Sequence, residues 1–310
     1  MRIATFNVQN LRLRHPSGRA RLDGARDSDM LEGTIPEAIA LDFADRRLTA
    51  AVLAHAGADI VCLQEVFDLK SLDFFHDHLL RSAGGPEYPY RYCFPGNDGA
   101  GRDVALMSRR EVAEVTSHAK LIARDLDLEE LPSRKPHTPV FCRDCLMAKI
   151  GALTLFLCHF KAPWPDAHAA WAVRRLEARA VRRLIERRFK GDRDALWLIV
   201  GDLNEPDDAF GGERAIAPLT QDFAVDLLER LPEAERWTYY DRSLQRYSRP
   251  DSLLASPRLA AHRPDARPYA LREGLPLEVS RYEGPRLPDV GLHRPRASDH
   301  AVLVVEFARL

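Results

Sequence analysis

ALWLIVGDLN, residues 195–204, is a run of six apolar residues followed by Gly201-Asp202-Leu203-Asn204. Alternation of apolar and polar residues marks a strand with one wet face, so an unbroken apolar run of this length predicts a strand covered on both faces. A core strand has no use for an aspartate and an asparagine, which belongs them to the edge where the chain leaves the sheet. The same form occurs three times upstream. The strand predicted over 2–6 (RIATF) ends at Asn7, the one over 59–63 (DIVCL) ends at Gln64-Glu65, and the one over 154–158 (TLFLC) ends at His159. The last predicted strand, 301–307, instead begins just after Ser298-Asp299-His300, and antiparallel pairing would bring its start to the same edge. In layered α/β proteins, sites collect in the crevice at strand ends, where loops aim side chains into one cavity.

Working outward, residues 36–56 predict a helix with Pro36 in its first turn and Ile39, Phe43, Leu48, Val52 and Leu53 as its apolar stripe. Further helices are expected over 68–82 and 166–190, and strands over 103–108, 145–150, 153–160 and 252–256, with a hairpin turn at Gly151-Ala152. Residues 12–34 and 262–298 read as irregular loops. Strands and helices mix without strict βαβ alternation, which favours an α/β protein with mixed sheets. No polar linker divides the chain, so residues 1–310 are expected to form a single domain.

The 45% apolar content supports a sizeable core, and no apolar run of membrane-spanning length occurs, so no membrane association is expected. No apolar stretch of signal-peptide type follows Met1, giving a cytoplasmic expectation, or a secreted one if the chain is a trimmed precursor. Five cysteines at 62, 93, 142, 145 and 158 make an odd, irregular set that argues against a disulfide framework, and Cys142-x-x-Cys145 lacks the second half of a zinc site. The net charge of -1 excludes a global attraction to nucleic acid. The basic residues are nearly all arginine, with only six lysines, and arginine suits bidentate phosphate contacts. The arginine face of helix 166–190 reads as a solvated charged surface.

The motifs Phe6-Asn7-Val-Gln-Asn10, Leu63-Gln64-Glu65-Val66, Cys158-His159-Phe-Lys161, Val200-Gly201-Asp202-Leu-Asn204 and Ser298-Asp299-His300 resemble, in order and spacing, those of the endonuclease/exonuclease/phosphatase superfamily. The resemblance covers nearly the whole chain. It implies a DNase I-like four-layer sandwich: two packed mixed β-sheets flanked by helices. A bacterial nuclease-like subgroup also shares Asn97-Asp-Gly-Ala-Gly-Arg102-Asp103-Val, Arg143-Asp-Cys145-Leu146 and Trp237-Thr-Tyr239-Tyr240. No chemical role follows for the last two.

Phosphodiester hydrolysis needs a cation to neutralise the phosphate oxygens, a base for water and a donor for developing charge. Glu65 is the leading carboxylate for Mg²⁺, with Mn²⁺ as the alternative, joined by the amide oxygen of Asn7 and by Asp299. By resemblance, Asp202 orients or deprotonates the attacking water, Asn204 contacts the scissile phosphate, and His300 is the catalytic imidazole. His159 is the second phosphate-contacting histidine, a feature that abasic-site endonucleases typically lack. Asp251 is assigned as the partner of His300, since Asp299, adjacent on an extended chain, points the other way. Here the match departs from the family: Pro250 precedes Asp251 and Ser252 replaces an aromatic, and proline cannot donate to a sheet ladder. Asn97, Arg102 and Lys161 are the expected substrate contacts.

The expectation is a divalent-metal-dependent nuclease acting on DNA or RNA, monomeric and without a protein partner. The DNase-like His159 and the arginine-rich loop 12–26 favour a nucleic acid substrate. Two alternatives stand beside it. One is a phosphatase or phosphodiesterase for a small-molecule or lipid-headgroup phosphate, and the other is a catalytically silent binding module of the same fold.

Overall fold

In the computed structural model, which describes residues 1–15, 19–26, 36–206, 212–308 and 310, two six-stranded sheets stack face to face. The first runs in the order Tyr269–Leu271, Val302–Glu306, Arg2–Leu11, Ile60–Val66, Asp103–Ser108, Tyr90–Cys93. The second runs Val225–Asp226, Asp251–Ala255, Leu196–Asp202, Leu153–His159, Cys145–Ile150, Glu114–Ser117. Each sheet has one parallel pair at its centre, Arg2–Leu11 with Ile60–Val66 and Leu153–His159 with Leu196–Asp202, and each pair is flanked by antiparallel neighbours.

The pleat explains the unbroken apolar runs. In the strand Arg2–Leu11, Ile3 faces the other sheet, where it joins Ile60, Leu155, Leu198 and Leu303, while Ala4 and Phe6 face outward under the helix Pro36–Ala56. In the second sheet Phe156 and Ile199 face outward under the helix Ala167–Phe189, against Val181 and Ile185. Both faces are therefore dry, and apolar residues fill both. The result is an α/β four-layer arrangement of helix, sheet, sheet and helix. Among the described residues no helix is long and apolar enough to cross a membrane.

Several details differ from the sequence expectation. The helix Pro36–Ala56 forms, but Ile39 and Phe43 lie exposed instead of in its buried stripe. The helix turns Asp42, Asp45, Arg46 and Thr49 inward, because Arg294 and two loops need polar anchors there: Asp45 accepts from Arg294 Nε at 2.8 Å and Ala25 N at 2.9 Å, and Thr49 Oγ1 donates to Ala297 O at 2.7 Å. The expected helix over 68–82 is an α-helical turn, Leu69–Phe75, continued by a π-helical one, His76–Leu80. Edge strands Tyr90–Cys93 and Glu114–Ser117 are additional, and so is Tyr269–Leu271 inside the expected loop 262–298. Part of the expected loop 12–34 lies outside the described residues. The remainder holds a two-stranded ribbon, Leu13–Arg14 with Arg21–Leu22.

Candidate active site

The two parallel pairs end at the same rim of the stacked sheets, and the polar residue at each end turns into one cleft. In the second sheet Asp202 lies in register with His159 on one side and Asp251 on the other. This close pairing sets a requirement at the preceding position. Gly201 has φ +133°, and a β-carbon there would sit 2.0 Å from the Cys158 carbonyl oxygen, so only glycine lets the Asp202 strand lie this close to its neighbour. In the first sheet the ladder skips from Gln64 to Val66, leaving Glu65 as a bulge with φ +65°. Bulges re-aim a side chain at a sheet rim, and this one takes Glu65 out of the pleat and into the cleft. Gln9, Asn10 and Asn204 also hold positive φ, so four residues of the motif loops carry left-handed backbone, a cost borne where geometry matters most.

The cleft, about 380 Å³, is lined among others by Asn7, Glu65, Arg102, His159, Asp202, Asn204, Asp299 and His300. At its floor Asp202 Oδ2 lies 3.7 Å from His159 Nε2 and 3.9 Å from His300 Nε2, and accepts from Asn7 Nδ2 at 3.1 Å. Asp202 Oδ1 accepts from the Asn204 amide at 2.8 Å. Burial pushes the Asp202 carboxyl up to about 6, against the opposing pull of His300. His300 Nδ1 lies 2.9 Å from Asp251 Oδ2. Burial alone would lower this imidazole, but the Asp251 carboxylate beside it, helped by Asp299 and Asp202, raises it to about 10. Burial together with the positive charges of Arg143 and His300 holds His159 far below the usual histidine range, so it is a neutral ring, with Nδ1 buried and without a partner among the described residues.

Proline before Asp251 does no harm to this pairing. The strand starts at Asp251 itself, and Pro250 contributes its carbonyl, which accepts from Leu203 N at 2.9 Å, where no donor is needed. Thr238 Oγ1 donates to the same Asp251 oxygen at 2.6 Å, and the Tyr239 ring lies 4.7 Å from that of His300. The sequence marked Trp237-Thr-Tyr239-Tyr240 but gave it no role.

Glu65 and Asp299 bring two carboxylates to the cleft. Asn10 N donates to Glu65 Oε2 at 3.0 Å, and Arg102 approaches it at 3.9 Å. Burial raises the Glu65 carboxyl, with the neighbouring charge of Asp299 adding to the rise. Asp299 Oδ2 accepts from Gln9 Nε2 at 3.2 Å. Asp202, Asp251 and His300 also offer ligand atoms within 4.8 Å of one another. Within that trio Asp251 Oδ2 already accepts from Thr238 and pairs with His300 Nδ1.

Two expected substrate contacts are not brought to the cleft. The Asn97 amide donates to the carbonyls of Ala119 at 2.6 Å and Phe141 at 2.9 Å, tying its own loop down. Lys161 Nζ donates to the Trp164 carbonyl, and its backbone is held by Glu177. Arg102 does line the cleft, donating to Asn10 Oδ1 at 2.7 Å, and Arg143 and Arg246, which carried no site assignment, line it as well. Of the arginines expected over 12–26, two serve the fold: Arg14 pairs with Asp23, and Arg26 with Asp23 and Asp42. The arginines of the helix Ala167–Phe189 likewise meet carboxylates, Arg187 with Asp127 and Arg188 with Glu114. Sequence reasoning also missed Arg46. It is fully buried, and its guanidinium donates to the carbonyls of Val8, Gln9, Asp23 and Gly24 at 2.5–2.8 Å, bracing the loop that carries Asn7 and Asn10. A lone arginine on a helix face carries no signal for such a role.

The family model described as the endonuclease/exonuclease/phosphatase family matches residues 4–300. Among solved structures, a protein of that family from Leptotrichia buccalis aligns over 99% of this chain and 98% of its own, at 12% identity and a TM-score of 0.59. An AP endonuclease from Archaeoglobus fulgidus aligns over 99% of both chains, at 18% identity and a TM-score of 0.58. A mannosyl-6-phosphatase from Bacteroides thetaiotaomicron aligns over 99% of this chain and 98% of its own, at 15% identity and a TM-score of 0.56. At these identities the likeness is one of fold. No curated protein sequence matches the chain.

Proposed function

The chain belongs to the endonuclease/exonuclease/phosphatase family, and on that premise we propose that it is a divalent-metal-dependent phosphodiester hydrolase acting on DNA or RNA. One observation carries the reading: a carboxylate, Asp202, lies between a neutral imidazole and a protonated one, in a cleft that also holds the carboxylates of Glu65 and Asp299.

Asn7, Glu65 and Asp299 are the residues to hold a cation. The donor set fits: the Glu65 and Asp299 carboxylates face one cleft and offer oxygen, the ligand a hard ion such as Mg²⁺ or Mn²⁺ prefers, and Asn7 Oδ1, which accepts from Gln9 N at 3.0 Å, keeps a second lone pair. A bound ion supplies neutralisation of the phosphate charge. The chain's own residues supply the rest. Asp202 Oδ2, aimed into the cleft, orients water and takes its proton, an effect worth about 10²–10⁴ in rate. The His300 imidazolium, fixed through Nδ1 by Asp251, presents Nε2–H to a phosphate oxygen as charge develops. His159 Nε2 and the Asn204 amide help to orient the phosphate. Asn204 Nδ2 donates to the Phe160 carbonyl at 3.1 Å, which leaves its second hydrogen for a ligand. Arg102, Arg143 and Arg246 give the walls a polyanion-binding character despite the balanced net charge.

A second reading, a phosphatase for a small phosphomonoester, is favoured by the mannosyl-6-phosphatase among the structural relatives. A parallel assay separates the two, offering supercoiled plasmid, single-stranded oligonucleotide, bis-p-nitrophenyl phosphate and p-nitrophenyl phosphate, each with Mg²⁺, Mn²⁺ or EDTA. Plasmid nicking or oligonucleotide cleavage that EDTA abolishes is the expected result. Turnover of the monoester alone would replace the nuclease reading with the phosphatase one. Silence on every substrate, without a metal-induced rise in Tm, would remove both.

A further inference from the structure

Beside the cleft lies a second cavity of about 500 Å³, lined by Tyr239, Tyr240, Arg242, His293, Arg296 and Asp299, among others. It shares Tyr239, Asp241 and Asp299 with the cleft, so the two adjoin. Most of its charges are already engaged. Arg242 and His293 both turn to Glu278, at 3.2 and 2.8 Å, and Asp241 closes its own turn by accepting from Ser243 and Leu244. Arg296 differs. It is 4% exposed, its backbone N–H donates to Asp45 at 2.9 Å, and its Nε donates to the Ala25 carbonyl at 3.3 Å. Among the described residues its two terminal nitrogens have no hydrogen-bond partner and the side chain has no carboxylate within ion-pair distance, yet those nitrogens are not sealed from solvent. A nearly buried guanidinium without an anion is costly, and its segment is fixed from both sides, with Ala297 accepting from Thr49 and donating to Gly274.

We infer that Arg296 is the receptor for a second phosphate of the substrate, next to the one that is hydrolysed. The inference rests on the hydrolase reading above and deepens it: the favoured substrate carries at least two phosphates, and the guanidinium fork takes the non-reacting one bidentately. Two sources share this chemistry, the neighbouring phosphate of a nucleic acid strand and the far phosphate of a small bisphosphate.

The test compares kcat/KM within matched pairs: thymidylyl-thymidine against the same dinucleotide with a 5′- or 3′-terminal phosphate, and fructose 6-phosphate against fructose 1,6-bisphosphate. Wild type is expected to favour the member with the extra phosphate by about tenfold to a hundredfold in one of the pairs, the range of a charge-assisted hydrogen bond. The nucleotide pair showing the preference assigns a strand phosphate, and the sugar pair assigns a small bisphosphate. Arg296→Gln is expected to abolish the preference and Arg296→Lys to retain part of it. Equal wild-type values within both pairs overturn the inference, and so does an Arg296→Gln loss that is the same for both members of a pair. Should Arg296→Gln fail to fold, the wild-type preference and Arg296→Lys decide, because an unchanged preference in the lysine variant also overturns it. Turnover of none of these substrates, nor of plasmid, oligonucleotide or the nitrophenyl esters, with metal present would remove the hydrolase reading itself, a result distinct from turnover without discrimination.

Discussion

Replacing Asp251 by asparagine removes one negative charge while keeping the shape that Thr238 and His300 pack against. In the wild type His300 rises from 6.5 to about 10, a difference of about 3.5 pH units, worth roughly 5 kcal/mol of preference for the imidazolium. Asp251 is the first carboxylate opposing a burial effect that would otherwise lower the ring, so without it burial prevails and the ring becomes neutral near pH 7. The wild-type profile of log kcat/KM against pH is expected to rise through about 6, as Asp202 ionises, and to fall only toward about 10, as His300 loses its proton. In Asp251→Asn the alkaline fall moves down by about three pH units or more, to about pH 7 or below, and kcat/KM at pH 8 drops roughly tenfold or more. A nitrogen-15 NMR titration of the His300 ring in the metal-free protein measures the same quantity without turnover. A ring in the variant that still titrates near its wild-type value, with an unmoved alkaline limb, would refute the assignment of Asp251 as the group that keeps His300 charged.

The same pair makes a stability prediction. Because the folded-state value of His300 is raised, its contribution is full below about 6.5 and is lost as pH rises toward about 10, so urea unfolding should show wild-type stability falling across that window and Asp251→Asn falling less. Asp202→Asn is expected to lower kcat by about 10²–10⁴. It should also raise Tm at pH 8, since burial disfavours the charged carboxylate there, and a lowered Tm would contradict the burial account. Glu65→Gln should abolish the rise in Tm that Mg²⁺ or Mn²⁺ gives the wild type, and a preserved rise would place the cation elsewhere. Arg46→Met should cost about 3 kcal/mol or more in urea unfolding, because four carbonyls lose a charged donor, and a neutral effect would deny Arg46 its bracing role.

Strand positions were legible because each central strand is buried on both faces, and a run such as Trp197–Val200 has no alternative fate. The residues ending those strands were legible for the complementary reason: Asp202, Glu65 and His159 are polar groups that a core would not retain without use. Side-chain direction in the loops was not legible. Asn97 and Lys161 sit in motifs that suggest phosphate contact, yet nearby carbonyls claim their donors, and such local satisfaction depends on backbone placement. Ile39 and Phe43 have helical spacing but lie exposed, because the rotation of that helix is set by Asp42, Asp45 and Arg46, whose partners are as distant as Arg294. Thr238 stood in a marked motif without a role and Arg296 carried no signal, since one hydroxyl and one guanidinium mean nothing until a carboxylate or a cavity stands beside them.

By itself, then, the chain of residues determined which segments form the central strands and which polar groups stand at their ends, because burial and pleat act within a few residues of one another. Only the tertiary structure decided that Asn7 and Glu65 from one sheet meet Asp202, His159 and His300 at a common rim. That outcome depends on strand register and on how the two sheets stack, and register is fixed by contacts between residues up to hundreds of positions apart, such as Arg2 with Glu306.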